Sequence, residues 1–464
     1  MNWRVSSLMA MWLACVPHAA HARDLRAKLA AYMQASQRID HFSGAVLVAT
    51  HGKVIYSRGF GLADAASGKA NKPSTEFQIG SNTKQFTAAA ILLLRDRGRL
   101  RLRERLCRFI PVCPGDWRAI TLYELLTHTS GIPDYTSVPG FWHAADEPVT
   151  PAKLLASFES RPLEFEPGTR FRYSNSGYFL LGMIVRRISG EPYRVFLRRN
   201  VLLPLGLRHT GFASIRRGSQ RSLGYERGPR GLQPAPRVNP DWVSSAGGLQ
   251  SSVLDLYRWD RDLMAGRLLS AHSLRDMLAP HVPIACGLLG SPERRCAYGL
   301  GLMIGRTYGH EQISHGGEFP GFLSVNAFFP RQGVVVIAFD NHFSWVVREV
   351  ARALVAIVFD RPYKVPEAYK SIRLSATALQ RFVGVYRLMP TLTITVRRRG
   401  DQLYEQATGQ SALPIHPYGP DSFFLRGVDE QIRFAADRHG RIDAMTLHRE
   451  GRVMSGPKLA AGGG

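Results

Sequence analysis

A serine hydroxyl is a poor nucleophile until a neighbouring base takes its proton, and a lysine amine one helical turn away can supply that base. In "FQIGSNTKQFTAAAILLL", residues 77–94, Ser81 precedes Lys84 by three residues at the head of an apolar run. Phe86, Ala89, Ala90 and Leu93 recur behind them at helical spacing, and Gly98 is a natural stop. Ser81 is therefore expected at a helix N-terminus, where the macrodipole favours developing negative charge, with Lys84 on the same face. Spacing alone is a weak signal, because Ser455 and Lys458 in "SGPK" share it.

A lysine-assisted serine hydrolase needs two further elements: a second proton-transfer or hydrogen-bonding group, and backbone donors for the oxyanion of the tetrahedral intermediate. "RYSNSGYFLLG" offers Tyr173 and Asn175, which on an extended or turning segment point to one pocket, although a buried structural tyrosine is the commoner meaning of such a pair. "ISHGGEFPGF" offers His315, Gly316 and Gly317 just before an expected strand. Two glycines there let a substrate backbone approach a sheet edge, and the N–H of Glu318 would pair with that of Ser81 as oxyanion donors. A plain hairpin turn is the competing reading. Two imitations are set aside. His310, Glu311 and His315 miss the zinc-helix spacing by one residue in a segment that reads as strand. His209, Thr210 and Gly211 follow "PLGLR" in a turn.

Positioning these groups requires elements that the patterning supplies. "FSGAVLVATHGKVIYSRGFGLAD" alternates around His51-Gly52-Lys53 as a β-hairpin does. Residues from about 100 to 240 mix helical patterns with Pro- and Gly-rich turns, among them the apolar helix "GYFLLGMIVRRIS". "YGLGLMIG", "FLSVNAFFP" and "GVVVIAFDN" read as strands, and "SWVVREVARALVAIVF" as a helix packed on their sheet. "DRPYKVPEAYK" reads as a linker, and beyond it "TLTITVRR", "SFFLRG", "QIRFAAD" and "RIDAMTLHRE" are short alternating strands of a separate antiparallel domain. The division expected is a signal peptide over 1–22, a catalytic domain over 23–360, a linker over 361–370 and a small β-domain over 371–464.

The chain has 464 residues, 45% of them hydrophobic and 21% charged, which describes an ordinary globular protein. Arg4, the apolar "VSSLMAMWLACV" and Ala20-His21-Ala22 form the pattern of a secretory signal cleaved after Ala22, so export to the periplasm or medium is expected. Export makes disulfides possible, and Cys107 with Cys113, and Cys286 with Cys296, are the candidate pairs; buried free thiols are the alternative. No His/Cys cluster suggests a metal, and no cofactor motif is present. The net charge of +24 invites a nucleic-acid reading, but the arginines are dispersed and no nucleic-acid-binding signature accompanies them. Loose attraction to an anionic envelope fits better.

The order Ser-Asn-Thr-Lys, Tyr-Ser-Asn, His-Gly-Gly resembles that of the serine hydrolases related to class C β-lactamases and low-molecular-weight penicillin-binding proteins. "LLTHTSGIPDY", "PGTRFRYSNSGYFLLG", "PLGLRHTGF", "AGGLQSSVLDL" and "HGGEFPGF" look like blocks of that family in family order, over roughly residues 40 to 355. The C-terminal part resembles a small β-barrel-like domain sometimes appended to it. The resemblance implies an α/β (α+β) fold, with an antiparallel sheet flanked by helices, an all-helical region beside it and the site between them. It implies that Ser81 is acylated, that Lys84 and Tyr173 share proton transfer, and that Asn175 holds the substrate amide or the lysine. His315 would stand where the β-lactamases of the family carry the lysine of K-T-G. A histidine is mostly neutral near pH 7, so D-peptidase or esterase chemistry is expected ahead of efficient β-lactam hydrolysis. A β-lactamase and a non-catalytic penicillin-binding protein are the alternatives, and the partner is a small molecule or peptide.

Overall fold

Strands that are apolar on both faces must be covered on both sides, and "GAVLVAT" and "VVVIAFD" are of that kind. In the computed structural model, which describes residues 16–110, 113–138, 141, 145–212, 220–228, 231–285, 296–390, 392–408, 412–425, 430–449 and 452–460, they pair at the heart of an eight-stranded antiparallel sheet. Its order is Val282–Ile284, Cys296–Tyr298, Met303–Thr307, His310–Phe319, Phe322–Phe329, Val334–Asp340, Gly44–Thr50 and Lys53–Phe60. Alternation divides each strand between two cores. Ala45, Leu47, Val335 and Ile337 join the core shared with the serine helix, whereas Val46, Val48, Val334 and Val336 meet the other cover. That cover is the helix Val346–Val358 together with the helix Val16–Ile39.

The helix Val16–Ile39 spans Ala22, the expected cleavage point, and Leu25, Leu29, Tyr32 and Met33 beyond it are buried in the domain. Residues 1–15 lie outside the described part. Among the described residues no helix is long and apolar enough to cross a membrane.

The hairpin joining Gly44–Thr50 to Lys53–Phe60 turns through His51 and Gly52, both with positive φ (49° and 76°). Two such residues define the turn whose twist suits a two-residue hairpin. "YGLGLMIG" does not form one strand: Cys296–Tyr298 and Met303–Thr307 are separated by a tight turn through Gly301, φ +81°, where a Cβ would lie 2.8 Å from the Lys84 carbonyl oxygen. The turn packs against the serine helix at Lys84 and Ala88.

The last part forms a second antiparallel sheet of eight strands from Gly384–Met389 to Arg452–Pro457, with its own core. Tyr386 on the first strand bridges to Lys458 just past the last, so the sheet nearly closes on itself as a barrel. The "SGPK" imitation falls here: Ser455 pairs with the Thr446 hydroxyl at 2.9 Å, and the Lys458 amine donates to the Arg381 carbonyl.

Candidate active site

Ser81 lies in a single 3-10 turn, Gly80–Asn82, that runs directly into the helix Thr83–Asp96. Every residue of that helix from Thr83 to Leu94 is buried, so it is a core helix more than an amphipathic one. The turn is fastened on all sides. The Asn82 amide donates to the Ser324 hydroxyl at 2.8 Å, and Ser324 donates to the Ile79 carbonyl at 2.9 Å. Gln85 donates to the Asn82 side-chain oxygen and accepts from the Trp259 indole, whose ring stacks on Phe86.

Lys84 is fully buried, and its amine contacts three oxygens: Ser81 Oγ at 3.1 Å, Asn175 Oδ1 at 2.8 Å and the Ala246 carbonyl at 2.8 Å. Asn175 opens the helix Asn175–Ser189, and its amide orientation is fixed. Its Nδ2 donates to Asp134 Oδ2 and Thr136 Oγ1, so Oδ1 must face the lysine. Of the two roles open to Asn175, the contact present is the one with the lysine. Burial pulls the Lys84 amine down from 10.5 to about 7, with the Asp134 carboxylate opposing the shift.

A neutral amine has two N–H donors and one lone pair. The Asn175 and Ala246 oxygens can only accept, so they take both donors. The lone pair is left for the Ser81 hydroxyl, which is the arrangement a general base requires. Replacing Asp134 by Asn removes the group that raises the Lys84 pKa. The acid limb of the pH–rate profile for Ser81 acylation is therefore expected to move to lower pH, and a shift to higher pH would contradict this account of Lys84.

The Tyr173 ring lies 4.6 Å from the Lys84 amine, and its hydroxyl is sealed from solvent. Burial and then Tyr298 push the phenol well above its ordinary 10.0, while the nearby Ser81 hydroxyl pulls the other way. No described group meets that hydroxyl in a well-formed hydrogen bond. Tyr173 thus keeps its proton at a pH where Lys84 gives its own up.

His315, Gly316 and Gly317 lie inside the strand His310–Phe319, not before it. The strand continues because Phe322–Phe329 pairs with it along residues 313–319, while Met303–Thr307 pairs only as far as Ser314. Residues 315–319 therefore have one edge without a strand partner among the described residues. A Cβ on Gly317 would lie 1.9 Å from the Ile79 carbonyl oxygen, and one on Gly80 would lie 2.6 Å from the Glu318 nitrogen. The space a side chain at position 317 would fill is taken by the chain's own Ile79–Gly80, and that close approach sets Ser81 beside Glu318. The Glu318 carboxylate points elsewhere, to Arg348 at 3.2 Å.

His315 is buried and ends a directional chain. The Ser174 N–H donates to His128 Nδ1 at 3.1 Å, so the His128 proton is on Nε2 and faces the Tyr298 hydroxyl at 3.2 Å. Tyr298 in turn meets His315 Nε2 at 3.1 Å, and His315 Nδ1 donates to the Gly316 carbonyl at 2.6 Å. Burial, then the charge on Lys84, lowers His315 from 6.5 to about 3, and His128 falls well below 6.5 for the same reasons. Both rings are neutral in the fold. Between 6.5 and the folded values the unfolded chain binds more protons, so stability falls as pH falls through that window. The urea midpoint is expected to drop steadily below about pH 6.5, less steeply in His315→Gln; a flat midpoint down to about pH 4.5 would exclude buried neutral rings.

Asp134, Thr136, His128 and Tyr298 were not singled out from sequence. The first three lie in or beside "LLTHTSGIPDY", and the positive φ of His128 (59°) is invisible in residue type. His310 stacks on Phe359 at 4.3 Å, and His209 lies against Glu76 with its backbone held by Asp255, so neither reaches the site. Cys107 and Cys113 are disulfide-bonded, with Cα atoms 5.3 Å apart. Cys296 is also disulfide-bonded, while Cys286, its expected partner, lies outside the described residues.

An antiparallel sheet covered on both faces, a helical region beside it and a buried lysine touching a serine at a helix start define the fold of β-lactamases and penicillin-binding proteins, here followed by a barrel-like sheet. The family model described as Beta-lactamase matches residues 25–360, and the chain belongs to that family of serine hydrolases. A second, described as a domain of unknown function (DUF3471), matches residues 370–458. The chain is 28% identical to penicillin-binding protein 4* of Bacillus subtilis over 418 residues, 85% of this chain and 90% of that one. The octameric penicillin-binding protein homologue from Pyrococcus abyssi shares the fold over 96% of this chain and 100% of its own, with a TM-score of 0.64 and 24% identity. A D-stereospecific amidohydrolase from Streptomyces sp. matches with a TM-score of 0.56 and 28% identity, over 70% of this chain and 94% of its own.

Proposed function

We propose that the protein is an exported serine hydrolase that works through an acyl-enzyme on D-amino-acid peptides or amides and on small esters. The observation that carries this reading is the Lys84 amine, buried, near neutrality in pKa and held by two acceptors so that its lone pair meets Ser81 Oγ. Ser81 Oγ attacks the substrate carbonyl carbon as Lys84 takes its proton. The N–H groups of Ser81 and Glu318 receive the oxyanion. Tyr173 or the lysine returns a proton to the leaving amine or alcohol as its bond to carbon breaks. Water, deprotonated by the same base, then releases the acid.

The likeness to a D-stereospecific amidohydrolase supports the substrate class, and the neutral His315 favours it over β-lactam hydrolysis, since an uncharged imidazole offers no ion pair to a β-lactam carboxylate. Export rests on the pattern of residues 1–22 and is in keeping with the Cys107–Cys113 disulfide. A D-alanyl anilide, a short p-nitrophenyl ester and a chromogenic cephalosporin, compared on the purified chain, test the reading. Turnover of the first two should exceed that of the third and rise through neutral pH as Lys84 loses its proton. Rapid turnover of the cephalosporin alone would overturn the ranking. Absence of any Ser81 adduct from a fluorophosphonate or labelled penicillin would favour a non-catalytic binder.

A further inference from the structure

A cavity of about 740 Å³ opens in the helical region, and none of Ser81, Lys84, Tyr173, Asn175 or His315 lines it. One wall is a single face of the helix Asn175–Ser189, along Phe179, Met183 and Arg186. Its apolar floor includes the buried Phe109, Phe179 and Phe212. Its polar lining is cationic. Arg186, Arg187 and Arg194 are exposed at it and form no ion pair among the described residues, whereas Arg108 is already matched by Glu104 at 2.6 Å. Among the described lining residues the one carboxylate is Asp241. The volume lies within the range of small-molecule sites, and guanidinium groups bind carboxylates and phosphates through paired hydrogen bonds.

We propose that this cavity binds an amphiphilic anion, with an apolar tail on the aromatic floor and a single carboxylate or phosphate head on the arginines. A neutral ligand would leave at least two arginine charges uncompensated beside it, and a head-group anion without a tail would leave the aromatic floor unfilled. The cavity adjoins the catalytic lysine's support. The Tyr193 hydroxyl in its wall meets Thr87 on the serine helix at 2.6 Å, and Thr87 donates to the carbonyl of Ser245, the neighbour of Ala246.

Calorimetric titration of the purified chain with dodecanoate, with lauroyl-lysophosphatidylglycerol and with dodecanol, each kept below its micelle threshold or solubility limit, tests the proposal. One anion should bind per chain, and the alcohol should bind at least about tenfold more weakly. The stronger of the two anions distinguishes a free fatty acid from a lipid as the natural source. The double variant Arg186→Glu/Arg187→Glu should lose at least about tenfold in affinity for either anion. Met183→Trp, which fills the cavity without altering charge, should lose a comparable amount. Thermal midpoint and near-ultraviolet dichroism verify that both variants fold. Equal binding of the alcohol, several anions per chain, or undiminished affinity in the two folded variants would overturn the proposal.

Discussion

Replacing Lys84 by arginine is expected to slow acylation of Ser81 by about 10²–10⁴-fold, the range over which a positioned general base acts. Arginine also ends in nitrogen donors at similar reach, but its guanidinium does not deprotonate at any working pH. It would present only donors to the Asn175 and Ala246 oxygens and to Ser81, with no lone pair for the hydroxyl proton. Lys84→Met should reach a similar floor by a different route, since it offers neither donor nor base. The burst of p-nitrophenolate from a short ester, followed by stopped flow, measures the acylation step directly. A loss below about tenfold in both variants would mean that another group takes the proton, with Tyr173 the first alternative.

Gly317→Ala should be among the most damaging single-methyl changes in the domain. Its Cβ would sit 1.9 Å from the Ile79 carbonyl oxygen, a backbone atom that cannot swing aside as a side chain can. Overpacking of this kind costs about 3 kcal/mol. Relief requires the segment before Ser81 to retreat, and displacement of a reacting group by about 1 Å costs about 10²-fold in rate. Urea denaturation and ester turnover on the same preparation separate the two effects. Wild-type values in both would show that the two segments are not locked together. Gly115→Ala is the useful comparison, because a Cβ added there meets nothing within 4 Å.

Both outcomes concern residues already conspicuous in the sequence, and the reason is chemical. Ser81, Lys84, Tyr173, Asn175 and His315 stand out because few residue types do this chemistry, and each lies in a distinctive local block. The residues that hold them were hidden by the opposite property. Asp134 acts through Asn175 across 41 positions and Tyr298 through His315 across 17, distances at which spacing carries no signal. Gly317 was noticed for the approach of a substrate backbone, but its packing against Ile79 was not, because the sequence cannot show which segment lies beside it. The doubly covered strands were legible as unbroken apolar runs. In the C-terminal sheet, Gln402–Ala407 and Leu413–Pro417 were not: the first mixes polar and charged residues with the buried Leu403 and Glu405, and the second carries two prolines. There, pairing within a nearly closed barrel overrides local preference.

The buried lysine also sets a tension between chemistry and folding. In the unfolded chain its amine returns to the ordinary 10.5, whereas in the fold it sits near 7. Between those values the unfolded state holds the extra proton, so Lys84 weakens the fold most at the lower end of that span and progressively less as pH rises. The same desolvation that, in the mechanism proposed above, fits Lys84 to act as base for Ser81 thus works against the native state near neutrality. Lys84→Met, inactive by the argument above, is therefore the substitution at this site from which greater thermal stability is to be expected, and the active site is a place where the sequence has kept reactivity over robustness.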